Sequence, residues 1–272
     1  MTPTDFEASR RWVETNFGRI AVYEYGDGPA AVFVHGYPLS AYFWRHQMAG
    51  LADIRRCVAL ELLGLCPREP KPGTRVGYEQ QADMIQEVLA ELGIESFDLV
   101  GNDSGGSIAQ LVATRDPERI RSLTLTNCEV AENYLPEPLL PVVELARSGQ
   151  LPTLFESLLA SVENARVSLA SVFARPGEAI TEERLVYEFG PLVATDARKA
   201  WLCDYLTAIS PDVCQAVVPA LKRFDRPTLV VWGDADPYMP IEWASWLEKE
   251  VPGVERVLPI SGGRLFFPEE EP

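Results

Sequence analysis

The chain alternates between short apolar runs and longer stretches in which apolar residues recur every three to four positions. Nearly continuous apolar runs bounded by turn residues are typical of strands covered on both faces of a sheet. Such runs predict strands at residues 19–25, 30–35, 57–60, 97–100, 122–126 and 228–232. Helices are predicted at residues 41–51, 78–92, 107–114 and 241–250. Strands that alternate with helices predict an α/β fold with a mostly parallel, doubly wound sheet.

The alternation stops between residues 129 and 224. This stretch is predicted to be mostly helical, and it carries spaced prolines and aromatic residues. We expect it to form a cap domain (129–224), inserted after the sixth strand of a core domain made of residues 1–128 and 225–272. A ligand pocket would then lie between the cap and the carboxyl ends of the strands. Most of the cap aromatics are expected to pack within the cap itself.

Composition and charge narrow the classes of partner. The 272 residues carry a net charge of −16, so phosphate backbones and anionic membrane surfaces should repel the protein. The five cysteines include no C-x-x-C pair, and no metal or nucleotide motif is present, so we expect neither a metal site, nor a disulfide set, nor a cofactor. The chain has no signal-like apolar region near Met1 and no apolar run of about 18 residues. A cytoplasmic protein that binds a small molecule is therefore expected.

A turn of small residues at 101–106, Gly-Asn-Asp-Ser-Gly-Gly, lies between the strand predicted at 97–100 and the helix predicted at 107–114. This strand–turn–helix context is that of a nucleophile elbow with Asp103 at its centre. So sharp a turn strains the central residue and leaves no room for bulky neighbours. It holds the Asp103 carboxylate at a helix N-terminus, where backbone N–H groups favour negative charge. Two alternatives remain: Ser104 as the nucleophile, and Asp103 as a helix N-cap.

The segment at 35–38, His-Gly-Tyr-Pro, follows a predicted buried strand. The backbone N–H of Tyr37, together with that of Ser104, would form an oxyanion hole beside Asp103. His35 is expected to brace this loop by hydrogen bonds at the edge of the pocket. His46 lies on the following helix and is expected to be structural or exposed.

Four motifs occur in order along the chain: His-Gly-x-Pro at 35–38, Gly-x-Asp-x-Gly at 101–105, Thr-Asn-Cys-Glu-x-x-Glu-Asn at 126–133 and Trp-Gly-Asp-Ala-Asp at 232–236. Together they resemble the α/β-hydrolase fold superfamily, in the branch with an aspartate nucleophile that includes epoxide hydrolases, haloalkane dehalogenases and fluoroacetate dehalogenases. The resemblance implies that Asp103 attacks an electrophilic carbon and forms an ester. It also implies that Asp236 is the acid that orients a histidine. Glu129 or Glu132 is the alternative acid, and Asp234 fits less well.

The chain departs from this family where the histidine is expected. The family carries a Gly-x-x-His-Phe or Gly-His-Phe motif followed by Glu, whereas this chain reads Gly-Gly-Arg-Leu-Phe-Phe-Pro-Glu at 262–269. Alignment on the phenylalanine and glutamate places Leu265 in the histidine position, and a shift of one residue places Arg264 there. Leucine does not titrate and arginine stays protonated, so neither serves as a base. Ester formation does not need the histidine, but hydrolysis of the ester does.

Further departures bear on the substrate. Ser104 follows the nucleophile where dehalogenases and many epoxide hydrolases carry tryptophan, which disfavours halide displacement. Glu61 and Cys66 stand where the family has an aspartate and a second glycine. Tyr187 or Tyr205 of the cap would donate a hydrogen bond to an epoxide oxygen. The residues expected to line the substrate pocket are His35, Trp44, Tyr187, Trp201 and Tyr205.

We therefore expect an epoxide hydrolase-like or dehalogenase-like protein that forms an alkyl ester at Asp103 and is impaired in hydrolysis. The alternatives are a non-catalytic protein that binds a small, apolar molecule, and a non-hydrolytic lyase or cyclase that uses Asp103 as an acid or base. The chain ends at Pro272, where the family continues into a helix. We expect that C-terminal helix to be absent, and the uncovered apolar surface to favour a homo-oligomer.

Overall fold

The computed structural model describes residues 1–65, 67 and 69–272. Cys66, one of the two predicted departures in the loop after residue 60, lies outside the described residues. Within the described part of the chain, no helix is long and apolar enough to cross a membrane.

The centre of the fold is an eight-stranded sheet with the spatial order β1-β2-β4-β3-β5-β6-β7-β8. The pairs β1–β2 and β2–β4 are antiparallel, and every other neighbouring pair is parallel. The strands are β1 (Arg10–Thr15), β2 (Gly18–Tyr25), β3 (Ala30–Val34), β4 (Arg56–Leu60), β5 (Phe97–Asn102), β6 (Ile120–Thr126), β7 (Thr228–Gly233) and β8 (Val254–Ile260). The sheet confirms the expected mostly parallel α/β architecture.

Burial explains which strands could be predicted from the sequence. Every residue of β3 is buried, and β4 exposes only part of its first residue, because both strands lie between neighbours and under helices. The two outer strands were not predicted. β1 buries only Val13, and no residue of β8 is buried. An edge strand needs few apolar residues, so neither strand shows a continuous apolar run.

Helices cover both faces of the sheet and also form the stretch between β6 and β7. The predicted helices at 78–92, 107–114 and 241–250 are observed as α3, α4 and α12, and the one at 41–51 is a 3₁₀ turn (Ala41–Trp44) followed by α2. The helices outside that stretch are α1 (Pro3–Glu7), α2 (Arg45–Leu51), α3 (Tyr78–Glu91), α4 (Ser104–Arg115), α12 (Glu242–Glu250) and α13 (Phe267–Glu270). A further 3₁₀ turn lies at Pro117–Arg119.

Between β6 and β7 the chain forms only helices and 3₁₀ turns, and we call residues 137–221 the helical insertion. Its helices are α5 (Leu140–Arg147), α6 (Leu151–Ala160), α7 (Val162–Ser168), α8 (Pro176–Ala179), α9 (Glu182–Phe189), α10 (Asp196–Ala208) and α11 (Pro211–Leu221), with 3₁₀ turns at Glu137–Leu139 and Gly190–Val193. α10 packs against α5 and α6, and α11 packs against α4. The division into a core domain and a 129–224 cap domain stays a prediction.

The chain after β8 contains one four-residue helix, α13, in place of the longer helix expected from the family. Its Phe267 and Pro268 are buried. Glu269 forms ion pairs with Arg45 of α2 and with Arg184 of α9. These ion pairs connect the C-terminal segment both to α2 and to the helical insertion.

Strand order brings the predicted motifs together. β3, β5, β6 and β7 are adjacent and parallel, so their carboxyl ends meet at one edge of the sheet. The segments that follow these strands contain Tyr37, Asp103, Glu129 and Asp236 respectively. This edge is where ligands bind in sheets of this kind.

Candidate active site

Asp103 lies at a strained turn between β5 and α4. Its φ of 54° is in the left-handed region, which a residue with a side chain seldom adopts. The flanking glycines leave no room for side chains. A Cβ on Gly101 would lie 2.6 Å from the Gly105 carbonyl oxygen, and one on Gly105 would lie 2.4 Å from that of Val34. The geometry is that of a nucleophile elbow with an aspartate at its centre.

The carboxyl group of Asp103 is nearly enclosed, with 7% of the residue exposed. It lies against Gly36, where a Cβ would come within 2.4 Å of Asp103 Oδ2. Burial raises the pKa of Asp103 well above its usual value, and the charge of Glu129 adds to the increase. The backbone N–H groups of Ser104 and Tyr37 act against this rise by stabilising the carboxylate. These are the two donors predicted for the oxyanion hole.

Ser104 links the predicted oxyanion loop to the helical insertion. Its Oγ accepts a hydrogen bond from the Tyr37 N–H at 3.0 Å and lies 3.0 Å from the Tyr205 hydroxyl. The rings of Tyr37 and Tyr205 stack with their centroids 5.5 Å apart. The Tyr37 N–H therefore lies within reach of both the Ser104 hydroxyl and the Asp103 carboxylate. Tyr205 is fixed beside the elbow by these contacts.

A second carboxyl group, that of Glu129, faces the same space from the segment after β6. Glu129 is 2% exposed. Its Oε1 accepts a hydrogen bond from the Tyr78 hydroxyl at 3.2 Å, and its Oε2 accepts one from Ser107 Oγ at 2.5 Å. Burial raises the pKa of Glu129, and these two hydrogen bonds act in the opposite direction. Two buried carboxyl groups thus interact at one edge of the sheet.

Asp236, the expected orienting acid, lies close enough for its charge to raise the pKa of Asp103, and its own carboxylate is hydrogen-bonded at both oxygens. Its Oδ2 accepts a hydrogen bond from Asn127 Nδ2 at 2.7 Å, and its Oδ1 accepts one from the Tyr238 N–H at 2.8 Å. Burial raises the pKa of Asp236. Both carboxylate oxygens are therefore engaged in fixing the loop after β7.

Leu265 lines the same space as Asp103 and Glu129. It is 5% exposed, and its carbonyl oxygen accepts a hydrogen bond from Asn102 Nδ2 at 3.0 Å. Arg264 instead directs its guanidinium to the carbonyl oxygen of Ala170 in the helical insertion. Arg264 and Leu265 were the two candidates for the histidine position of the family. Of these, Leu265 is the one that lines the space beside Asp103.

These groups enclose a cavity of about 200 Å³ between the sheet edge and the helical insertion. The insertion contributes mainly apolar side chains, among them Leu139, Val142, Phe155 and Leu206. Asp103 and Glu129 are the carboxylate side chains in the wall, and no Lys, Arg or His lines it among the described residues. Nor do the described residues contain a group of three His, Cys, Asp or Glu side chains able to hold a metal ion. The arrangement is suited to a small apolar molecule that meets a carboxyl group at one end.

Comparison with known proteins identifies the family. The family model described as alpha/beta hydrolase fold matches residues 29–271, which is most of the chain. The chain belongs to the alpha/beta hydrolase fold family. It is 27% identical over 237 residues to Haloalkane dehalogenase 2 of Mycobacterium tuberculosis H37Rv, a match that covers 86% of this chain and 80% of that protein.

Two further similarities support this assignment. Epoxide hydrolase 4 of Mus musculus is 28% identical over 272 residues, covering 94% of this chain and 73% of that protein. Among solved structures, an alpha/beta hydrolase fold protein from Burkholderia ambifaria superposes with a TM-score of 0.82 at 21% identity, covering 96% of this chain and 93% of that one. The structural match supports the fold alone.

His35 and Trp44, which were expected to line the substrate pocket, lie in the core and do not line the cavity. His35 is fully buried in the core, where its Nδ1 lies 3.0 Å from the Gly36 carbonyl oxygen and its Nε2 accepts a hydrogen bond from the Leu62 N–H at 3.2 Å. It braces the loop, as its position after β3 predicts. The ring of Trp44 packs against Phe33 and Phe43 and does not reach the cavity.

None of the three expected cap aromatics forms part of the cavity wall. The Tyr187 hydroxyl donates to Glu7 at 2.6 Å near the N-terminus, and its ring packs on Tyr42. Trp201 is half-buried on α10 and does not line the cavity. Tyr205, on the same helix, reaches the site through Ser104. The register of a helical segment decides which aromatic side chain faces the sheet, and aromatic spacing alone did not fix it.

The structure adds three polar residues that were not predicted at the site. Tyr78 of α3 and Ser107 of α4 donate to Glu129, and Tyr238 lines the cavity with its hydroxyl 3.2 Å from that of Ser171. Tyr78 begins a predicted helix and Ser107 follows the elbow by one turn, so both positions were visible in the sequence. Nothing in the sequence paired them with Glu129, because that contact joins segments far apart along the chain.

Proposed function

We propose that this hydrolase opens a small, apolar electrophile by attack of the Asp103 carboxylate and forms an ester at that residue. The observation that carries the proposal is the Asp103 carboxyl group on a strained elbow at the end of an otherwise apolar cavity, with two backbone N–H groups beside it. A carboxylate held in place and stripped of water is a competent nucleophile toward an alkyl carbon.

The substrate class follows from the size and lining of the cavity. A dry cavity of about 150 Å³ lined by apolar side chains holds benzene, and this one is near 200 Å³. A terminal epoxide or a primary alkyl halide with a short alkyl or phenyl substituent is of this size. We favour the epoxide, because Ser104 stands where the dehalogenases that the chain resembles carry a tryptophan.

Tyr205 is the proposed donor to the epoxide oxygen. Its hydroxyl lies 3.0 Å from Ser104 Oγ, next to Asp103, whereas that of Tyr187 donates to Glu7 outside the cavity. Burial raises the pKa of Tyr205, so the phenol keeps its proton at neutral pH. Opening of the ring would then place negative charge on an oxygen that a phenol can protonate.

Turnover is expected to be slow at the step that follows, the hydrolysis of the ester. Water that attacks the ester must lose a proton, and a positioned base contributes about 10²–10⁴-fold to such a step. Leu265 lines the cavity where the family resemblance places histidine, and it has no group that can accept a proton. The ester is therefore expected to form faster than it is hydrolysed, and so to accumulate.

Intact-protein mass spectrometry tests the proposal. The protein is incubated with a panel of terminal epoxides and primary alkyl bromides, alongside the Asp103→Asn and Ser104→Ala variants. We expect one adduct per chain in the parent protein, none in Asp103→Asn, and an adduct retained in Ser104→Ala. An adduct lost in Ser104→Ala but kept in Asp103→Asn would assign the nucleophile to the serine instead.

A second candidate function is reversible binding of the same class of molecule without chemistry. The observation that favours it is Leu265, which adds an apolar side chain to the wall of an apolar cavity. Calorimetry with the same panel separates the two candidates. Saturable binding that is reversed by dilution, with no change of protein mass, supports a binding protein and contradicts the nucleophile.

A further inference from the structure

We propose that Glu129 accepts the proton from the water that hydrolyses the Asp103 ester, and so is the general base in this chain. This inference rests on the proposed function, because it concerns the second half of that reaction. It assigns a proton-transfer role to the second carboxyl group in the cavity wall.

The placement of Glu129 is the first argument. Asp103, Glu129 and Leu265 line one cavity, so a water molecule that approaches the ester does so beside the Glu129 carboxylate. Asp236 is not part of that wall, and both of its oxygens are committed to Asn127 and to the Tyr238 N–H. Of the buried acids Glu61, Glu129 and Asp236 at this edge of the sheet, Glu129 is the one that shares the cavity with the nucleophile.

The hydrogen bonds of Glu129 suit a base. Tyr78 and Ser107 each donate one hydrogen bond, to different oxygens of the carboxylate. A carboxylate offers about four acceptor positions, so acceptor capacity remains for water. The Gln110 side chain also donates to the Glu129 carbonyl oxygen at 2.9 Å, which fixes the main chain. The carboxylate is therefore oriented at both ends and has no basic side chain to neutralise it in the cavity wall.

Charge couples the two half-reactions. The titratable groups that interact with Glu129 come from each neighbouring element: Asp103 after β5, Tyr78 on α3, Cys128 after β6, Tyr134 before α5, Tyr205 on α10 and Cys214 on α11. Burial raises the pKa of each of these phenols and thiols, which keeps them neutral near pH 7.

Asp103 is the remaining group in that set, and it loses its charge when the ester forms. Removal of a like charge from a buried pair favours ionisation of the partner. Formation of the ester therefore promotes the ionised, basic form of Glu129. The base becomes available at the stage of the reaction that needs it.

The proposed step balances. A water oxygen attacks the carbonyl carbon of the Asp103 ester, and one water proton moves to the Glu129 carboxylate. The tetrahedral intermediate then breaks its bond to the alkyl oxygen, and the departing alkoxide takes the proton from Glu129. The products are an alcohol, the Glu129 carboxylate and the Asp103 carboxylic acid, which releases its proton to solvent to regenerate the nucleophile. No oxidant or metal is involved.

The test is the lifetime of the ester in the Glu129→Gln variant. The protein is loaded with a terminal epoxide such as styrene oxide, freed of excess reagent, and followed by intact mass over a range of pH. In the parent protein, loss of the adduct should speed up as pH rises through the raised pKa of Glu129 and then level off. In Glu129→Gln we expect that rise to disappear and the decay at neutral pH to slow by about 10²-fold.

Glu129→Gln also removes the negative charge that adds to the rise in the pKa of Asp103. Formation of the ester should therefore stay as fast or become faster in the variant, while its decay slows. A purely structural role of Glu129 would slow both steps. Glu91→Gln is the matched control, because Glu91 is exposed at the end of α3, has no assigned role in the site and undergoes the same change. It should match the parent protein in both rates.

The outcomes separate the two proposals. An ester that decays equally fast, with the same pH dependence, in the parent protein and in Glu129→Gln overturns the role of Glu129 and leaves the proposed function intact. Absence of any ester in the parent protein, with no product, overturns the proposed function and this inference together. Glu129→Asp keeps the carboxylate on a shorter side chain and should recover the pH-dependent rise in part. Its failure to differ from Glu129→Gln would also contradict the role of Glu129.

Discussion

A histidine introduced at position 265 should turn slow hydrolysis of the Asp103 ester into faster turnover. Leu265 lines the cavity with Asp103 and Glu129, and its main chain is fixed by the hydrogen bond from Asn102. An imidazole in the Leu265→His variant would therefore enter the cavity between two acids. A positioned base contributes about 10²–10⁴-fold, which corresponds to about 3–5 kcal/mol off the barrier for ester hydrolysis.

The same substitution carries a cost in stability. Placing a polar ring at a site that is 5% exposed costs about 1–3 kcal/mol where its hydrogen bonds are only partly satisfied. Glu129 is the neighbouring carboxylate that can accept a hydrogen bond from the ring. We therefore expect a folded variant whose unfolding midpoint in urea is lowered, with its catalytic gain intact.

The assay is steady-state release of diol from a terminal epoxide, together with the amount of ester present during turnover. Imidazole is a base when neutral, so the rate should rise with pH through the histidine pKa, ordinarily about 6.5. Leu265→Gln is the control, because it adds polarity without a base and should leave the rate of ester hydrolysis as slow as in the parent protein. A Leu265→His protein that is folded, forms the ester and still fails to release diol would refute the reasoning.

Three further predictions rest on the same geometry. Gly36→Ala places a methyl group 2.4 Å from Asp103 Oδ2, too close for the carboxyl group to keep its position, so adduct formation should fall by at least ~10²-fold while far-UV circular dichroism stays unchanged. Asp103→Asn should raise the unfolding midpoint at neutral pH, because the pKa of Asp103 is raised in the folded state. Such a carboxyl group stabilises the fold below its unfolded pKa, and this contribution is lost as pH rises through the folded pKa. The gain in the variant should therefore shrink on acidification, and a lowered midpoint at neutral pH would contradict the prediction. Glu269→Ala leaves two buried guanidinium groups, Arg45 and Arg184, without their shared carboxylate, and should lower the free energy of unfolding by about 3–5 kcal/mol in urea titrations.

The elements that could be predicted from sequence are those whose pattern is set by their own burial. β3 is buried along its whole length and was evident as an apolar run, whereas β8 has no buried residue and resembles a loop. The elbow was predicted because its small residues are contiguous in the sequence. The need for glycine is local at 101, which faces the Gly105 carbonyl oxygen, whereas at 105 it comes from Val34 and His35 at the end of β3. A side chain at either position would collide with backbone only a few ångströms away.

The candidate site was predictable only where residues follow strand ends. Asp103, Glu129 and Asp236 each come within three residues of the end of a parallel strand, so their meeting follows from topology. The partition of roles between Glu129 and Asp236 did not follow, because it depends on which acid is occupied by Asn127 and Tyr238. The tyrosines of the helical insertion depended on helix register, which is fixed by packing across the whole insertion.

The most direct test of the central claim is to locate the adduct along the chain. The parent protein is incubated with a terminal epoxide, digested, and the peptide that spans residues 97–115 is sequenced by tandem mass spectrometry. We predict that the mass of one epoxide is added to Asp103. Product formation with Asp103 unmodified at all times, or an adduct confined to Ser104 or to a cysteine, would contradict the account.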